Sequence, residues 1–118
     1  MDLRLETSDH DGTTVLAAHG EIDVATAPQL RQQIVELASE SSAPLVIDLE
    51  GVDFLDSSGL GVLVSGLKRF RTLGSDVLLV ATRPRILKVF EITGLTQVFS
   101  IHPTVEDAIS AAAAGPQP

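Results

Sequence analysis

Leu3 and Leu5 alternate with polar neighbours, and this period of two predicts a short strand. Asp11-Gly12 is a hairpin signal, and Thr13 to His19 then reads as the partner strand, ended by Gly20. The period changes after Glu21–Ala25. Ala27, Leu30, Ile34, Leu37 and Ala38 fall on one helical face, with Thr26 as the expected N-cap and Pro28 in the first turn. This helix fades over Ser39 to Ser42. Pro44 to Leu49 is a mostly apolar run, as expected for a central strand. A short acidic loop should follow, and then a helix from about Ser58 to Leu73. Leu60, Leu63, Val64, Leu67 and Phe70 form its buried stripe, Lys68, Arg69 and Arg71 complement its dipole, and Gly74 stops it.

Val77 to Ala81 reads as another buried strand. Thr82 is placed to cap a third helix, with Pro84 early in it, Ile86, Leu87, Val89 and Phe90 inward, and Gly94 at its end. Gln97 to Ile101 is the last strand expected. Thr104 and Asp107 resemble a capping box for a short final helix to about Ala114. The order ββαβαβαβα predicts an α/β fold: a mixed, mostly parallel sheet. Right-handed crossovers gather its helices mainly on one face. One domain should span residues 1–114, with a flexible tail at 115–118.

Composition narrows the function classes. At 118 residues with 44% hydrophobic and 20% charged positions, the chain can bury one modest core. Aromatics make up 3%, with no Trp or Tyr, so the core must be aliphatic and no stacking platform for bases is available. A formal charge of −8 argues against nucleic-acid binding. The absence of cysteine removes disulfides and thiolate chemistry. No apolar run reaches the length of a membrane span, and the N-terminus lacks a signal-peptide core, so a cytoplasmic location is expected.

The candidate chemistry centres on Asp56-Ser57-Ser58-Gly59. The plain reading is a turn in which Ser57 or Ser58 caps the helix. However, Gly59 and Gly61 are poor helix formers, and small residues there leave amides and hydroxyls open to a partner. A phosphate on Ser57 would sit at the positive end of the helix. Asp23, Asp53 and Asp56 would make a negative rim around it. Gly66 in mid-helix suggests close packing of the helix against the sheet. His10, His19 and His102 show no ligand spacing, so no metal is expected. Ser57 lacks the G-x-S-x-G elbow, and Gly59-Leu60-Gly61 lacks the third glycine of a dinucleotide fingerprint. No catalytic residue and no cofactor are therefore assigned.

The stretches Gly20 to Thr26 (GEIDVAT), Val46 to Leu49 (VIDL) and Val52 to Val62 (VDFLDSSGLGV) together resemble the STAS domain, and within it the bacterial anti-sigma factor antagonists. Pro84 to Leu95 is similar to the family's penultimate helix and its ending. The resemblance covers roughly Leu3 to Ala113. It implies a regulatory protein that binds an anti-sigma factor serine kinase and frees a sigma factor. Phosphorylation of the serine directly after the aspartate, here Ser57, releases the kinase, and a serine phosphatase resets the switch. Asp23 matches an acidic position near the acceptor, and Thr26 the start of the first helix. With Asp56, Ser58, Gly59, Leu60 and Gly61 these form the expected partner-binding surface. The alternative implied by the resemblance is a STAS subunit of another assembly, such as a lipid-transport ATPase or a stressosome.

Overall fold

The computed structural model describes residues 2–115. The expected tail at 115–118 therefore lies, beyond Gly115, outside the described residues. The chain runs β1 (Leu3–His10), β2 (Thr13–Ile22), α1 (Ala27–Glu40), β3 (Leu45–Leu55), α2 (Ser57–Thr72), β4 (Val77–Val80), α3 (Pro84–Ile92), β5 (Ser100–His102) and α4 (Val105–Ala113), with a 3-10 turn at Leu95–Gln97. The five strands form one sheet in the order β1-β2-β3-β4-β5. Only the β1–β2 pair is antiparallel. The hairpin between them turns on Asp11 (φ 53°) and Gly12 (φ 89°), the two positive φ values that a type I′ turn requires.

The sheet grows in one direction, so right-handed crossovers put α1, α2 and α3 on one face. The large core lies there: Leu45, Ile47 and Leu49 of β3 and Val77 and Leu79 of β4 meet Leu30 and Ile34 of α1, Leu63, Leu67 and Phe70 of α2, and Ile86 and Phe90 of α3. Alternate residues of the same strands, Val46, Leu78 and Val80, point the other way and are covered by α4 through Ala108. α4 follows the last strand and closes no crossover, so nothing forces it onto the helical face. With both faces covered, all four residues of β4 are buried.

Local chemistry moves several boundaries. Gly20 does not end β2. It adopts φ +115° in an irregular stretch of register, and a Cβ there would stand 2.2 Å from the Asp2 carbonyl oxygen. β2 thus continues to Ile22, and β3 continues through the expected acidic loop to Leu55. Thr26 holds the N-cap position of α1, as expected, but its hydroxyl accepts from no amide of the helix, and Thr82 is not the cap of α3, where Arg83 holds that position. The Thr82 hydroxyl instead bonds a Glu50 carboxylate oxygen at 2.6 Å. The last strand starts at Ser100 because Leu95–Gln97 coil into the 3-10 turn. Thr104 does cap α4, accepting from the Asp107 amide at 3.0 Å.

α2 ends in a Schellman motif. Gly74 (φ +80°) donates to the Arg71 carbonyl at 3.0 Å, and Ser75 to that of Phe70 at 2.9 Å. Gly66 answers a neighbouring helix and not the sheet: a Cβ there would lie 3.1 Å from Cγ2 of Ile34 on α1.

Candidate functional site

The pairing of β2 with β3 holds as far as Ile22 and Leu55, and the Asp56 amide then donates to the Ile22 carbonyl at 3.2 Å. The loop after β2 and the start of α2 therefore leave adjacent strand ends side by side. This is the carboxyl end of the parallel strands, the usual place for function in such sheets.

One residue, Asp56, separates β3 from α2. It is the N-cap: its Oδ1 accepts from the amides of Ser58 at 2.9 Å and Gly59 at 3.2 Å. Neither serine caps the helix, which corrects the plain reading of the sequence. Ser57 occupies the first helical position, is exposed, and its hydroxyl makes no hydrogen bond among the described residues. With the capping done by Asp56, the Ser57 hydroxyl has no structural task. Ser58 is half-buried.

The two glycines of the first turn differ. Gly59 is buried, and a Cβ on it would stand 2.6 Å from both Ile22 Cγ2 and Leu55 Cδ1. Its smallness lets the helix start sit directly on the ends of β2 and β3. Leu60 is buried beside it. A Cβ on Gly61 would meet nothing within 4 Å, and Gly61 is exposed one turn from Ser57. Of the expected contact residues on α2, Ser57 and Gly61 thus face outward, while Gly59 and Leu60 face the core.

Across the site, Asp23 folds its own loop. Its carboxylate accepts from the amides of Ala25 at 2.9 Å and Thr26 at 3.0 Å. The bond from the Thr26 amide is the main reason its pKa lies below the ordinary 3.8, helped by the Ala25 amide and the Thr26 hydroxyl. Thr26 is buried, accepts from the Asp23 amide at 2.9 Å and donates to the Glu21 carbonyl at 2.8 Å. Thr26 therefore shapes the loop that presents Asp23. Asp53 departs from the expected rim because its carboxylate pairs with Arg83 at the start of α3.

Two apolar residues at this end escaped the sequence reading. Val24 is 75% exposed beside Asp23, and Phe54, paired with Glu21, is 43% exposed. An outward Phe in a strand breaks no periodicity, so only the solvent exposure reveals it. Among the described residues, no group of three His, Asp or Glu side chains could hold a metal, and no helix is long and apolar enough to cross a membrane.

A family model of the STAS domain matches residues 4–108. The chain is 30% identical over 106 residues to the anti-sigma-B factor antagonist of Staphylococcus aureus strain NCTC 8325 / PS 47, covering 90% of this chain and 98% of that one. Among solved structures, an anti-sigma factor antagonist from Mycobacterium paratuberculosis superposes with a TM-score of 0.85 at 36% identity over 95% of each chain. The Bacillus cell fate determinant SpoIIAA, in its phosphorylated form, superposes with a TM-score of 0.69 at 25% identity, covering 93% of this chain and 98% of that one.

Proposed function

The chain belongs to the STAS domain family, and we propose that it is an anti-sigma factor antagonist switched by phosphorylation of Ser57. The observation that carries this reading is the division of labour at the start of α2. Asp56 holds the helix amides, and the Ser57 hydroxyl is left exposed and unbonded beside it. In its unphosphorylated form the protein binds an anti-sigma factor serine kinase and frees the sigma factor. The docking rim comprises Ser57, Gly61, the loop presented by Asp23 and Thr26, and the exposed apolar pair Val24 and Phe54. Such a rim, with exposed apolar side chains and small residues about its acceptor, suits close approach of a partner surface.

The kinase transfers the γ-phosphoryl group of ATP to the Ser57 oxygen, with loss of the hydroxyl proton and release of ADP. The product carries about −1.5 to −2 charges at neutral pH. In the free protein the helix N-terminus tolerates this charge, so the fold need not change. In the complex the phosphate is stripped of water between the partner and the carboxylates of Asp56 and Asp23. A unit charge about 6 Å from a carboxylate costs roughly 3 kcal/mol at an effective dielectric of ~20. Only the part of that cost added on docking weakens the complex. A serine phosphatase restores the binding form.

The test is direct. The chain is mixed with candidate anti-sigma kinases and ATP, and the product is mapped by mass spectrometry. Phosphate is expected on Ser57 alone. Ser57→Ala should still bind the kinase but resist release, and Ser57→Asp should bind poorly. Phosphate on another residue, or tight binding by Ser57→Asp, would overturn the reading. Recovery of a transport ATPase and no kinase from cells would favour a STAS subunit of a different assembly.

A further inference from the structure

We propose that the groove between α1 and α2, away from Ser57, is a second docking surface for an acidic amphipathic helix of a protein partner. The argument starts from charge. The chain holds sixteen Asp and Glu residues against eight Lys and Arg. Arg4, Arg71 and Arg83 lie in ion pairs with Glu6, Asp76 and Asp53. Arg31, Lys68, Arg69, Arg85 and Lys88 make none among the described residues. Three of those five, Arg31, Lys68 and Arg69, line this one groove, so an otherwise acidic surface gathers most of its unpaired cations along α1 and α2, while Arg85 and Lys88 lie apart on α3.

The floor and ends of the groove are apolar or small. Val35 and Leu73 are 37% and 46% exposed, and Ala38 and Ser65 lie between them. The hydroxyls of Ser39 and Thr72 turn onto the Glu36 and Lys68 carbonyls of their own helices, at 2.8 and 2.9 Å. The main hollow, of about 450 Å³, offers apolar contact with Lys68 and Arg69 at its edge, and a much smaller one of about 10 Å³ continues past Val35 and Ser65 to Arg31. Glu36, one step round α1, is engaged by the Gln32 amide at 3.3 Å. Helix-in-groove recognition uses this arrangement: apolar anchors at i, i+3, i+4 and i+7 seat in the trough, and the partner's flanking charges complement its rim. Glutamates on that helix would meet Arg31, Lys68 and Arg69, whereas a basic helix would be repelled by them.

The probe is a synthetic helical peptide of about 18 residues, with leucines at helical spacing and glutamates beside them, and a twin with lysine for each glutamate. Amide shifts of the full ¹⁵N-labelled chain are followed during titration. Saturable shifts at Arg31, Val35, Ser65, Arg69, Thr72 and Leu73 are expected with the glutamate peptide and not with its twin. The double change Arg31→Glu and Arg69→Glu should weaken binding at least tenfold, and Arg31→Gln with Arg69→Gln by less. Both substituted side chains, Arg31 and Arg69, are exposed, and circular dichroism checks that the variants fold. Absence of saturable shifts at about 1 mM peptide, equal binding of the lysine twin, or shifts centred elsewhere would overturn the proposal. So would groove shifts that depend on protein concentration alone, which would indicate a second copy. Co-sedimentation with phosphatidylglycerol vesicles in place of peptide binding would overturn it too.

Discussion

Asp56 performs two separable tasks, and two substitutions divide them. Its Oδ1 bonds the Ser58 and Gly59 amides, and its charge faces the helix dipole. Loss of an N-cap costs about 1 kcal/mol, and loss of a favourable charge at a helix N-terminus about 0.5 kcal/mol. Asp56→Ala removes both and should cost about 1.5 kcal/mol. Asp56→Asn keeps an acceptor oxygen and should cost about 0.5 kcal/mol. A chain of this length has an unfolding entropy of about 0.25 kcal/mol per kelvin, so Tm should fall by about 6 °C for the alanine and about 2 °C for the asparagine. Urea unfolding followed by circular dichroism gives the free energies, provided the m-values agree. Equal losses for the two variants would mean that capping is not what Asp56 contributes. No loss for the alanine would mean that the helix start is held by something else.

The first-turn glycines should respond with opposite signs. Gly59→Ala drives a methyl into Ile22 and Leu55 and should cost about 1–2 kcal/mol, while Gly61→Ala, which meets nothing, should gain up to about 1 kcal/mol in the same unfolding assay. Matching signs would refute the packing argument. Asp23 should titrate by NMR with a midpoint below 3.8, because the amides of Thr26 and Ala25 stabilise its carboxylate. A lowered folded-state pKa adds stability that is present above the unfolded value and is lost as pH falls through the folded one. This contribution should thus disappear only in acid below about pH 4, and it should be absent in Asp23→Asn. A midpoint at or above 3.8 would contradict the loop geometry.

Much of the architecture was readable from the chain because several signals agreed. The stripe Leu60, Leu63, Leu67 and Phe70, the Asp11-Gly12 turn and the Thr104 cap each acted where local chemistry alone decides. Other features depended on distant partners. Gly51 to Leu55 looks like a loop until β2 pairs alongside it, and that pairing continues only because Gly20 tolerates φ +115°. Thr26 and Thr82 have the right side chain for capping but find better partners in Glu21 and Glu50. At the site, the sequence marked Ser57 and Asp56 but not their roles. Which of the three polar residues caps α2 depends on where β3 ends, and that in turn depends on the Asp56 amide reaching the Ile22 carbonyl. Val24 and Phe54 stayed hidden because exposure of an apolar side chain leaves no trace in periodicity.

The most direct test of the switch is the affinity of the purified chain for its anti-sigma factor, measured calorimetrically before and after stoichiometric phosphorylation of Ser57. Of the roughly 3 kcal/mol of repulsion in the docked state, about 0.7 kcal/mol is already present in water, so a differential of about 2 kcal/mol remains and the phosphorylated form should bind roughly thirtyfold more weakly. The fold, read by circular dichroism, should be the same in both. Equal dissociation constants for the two forms, or weakening accompanied by loss of the native signal, would contradict it.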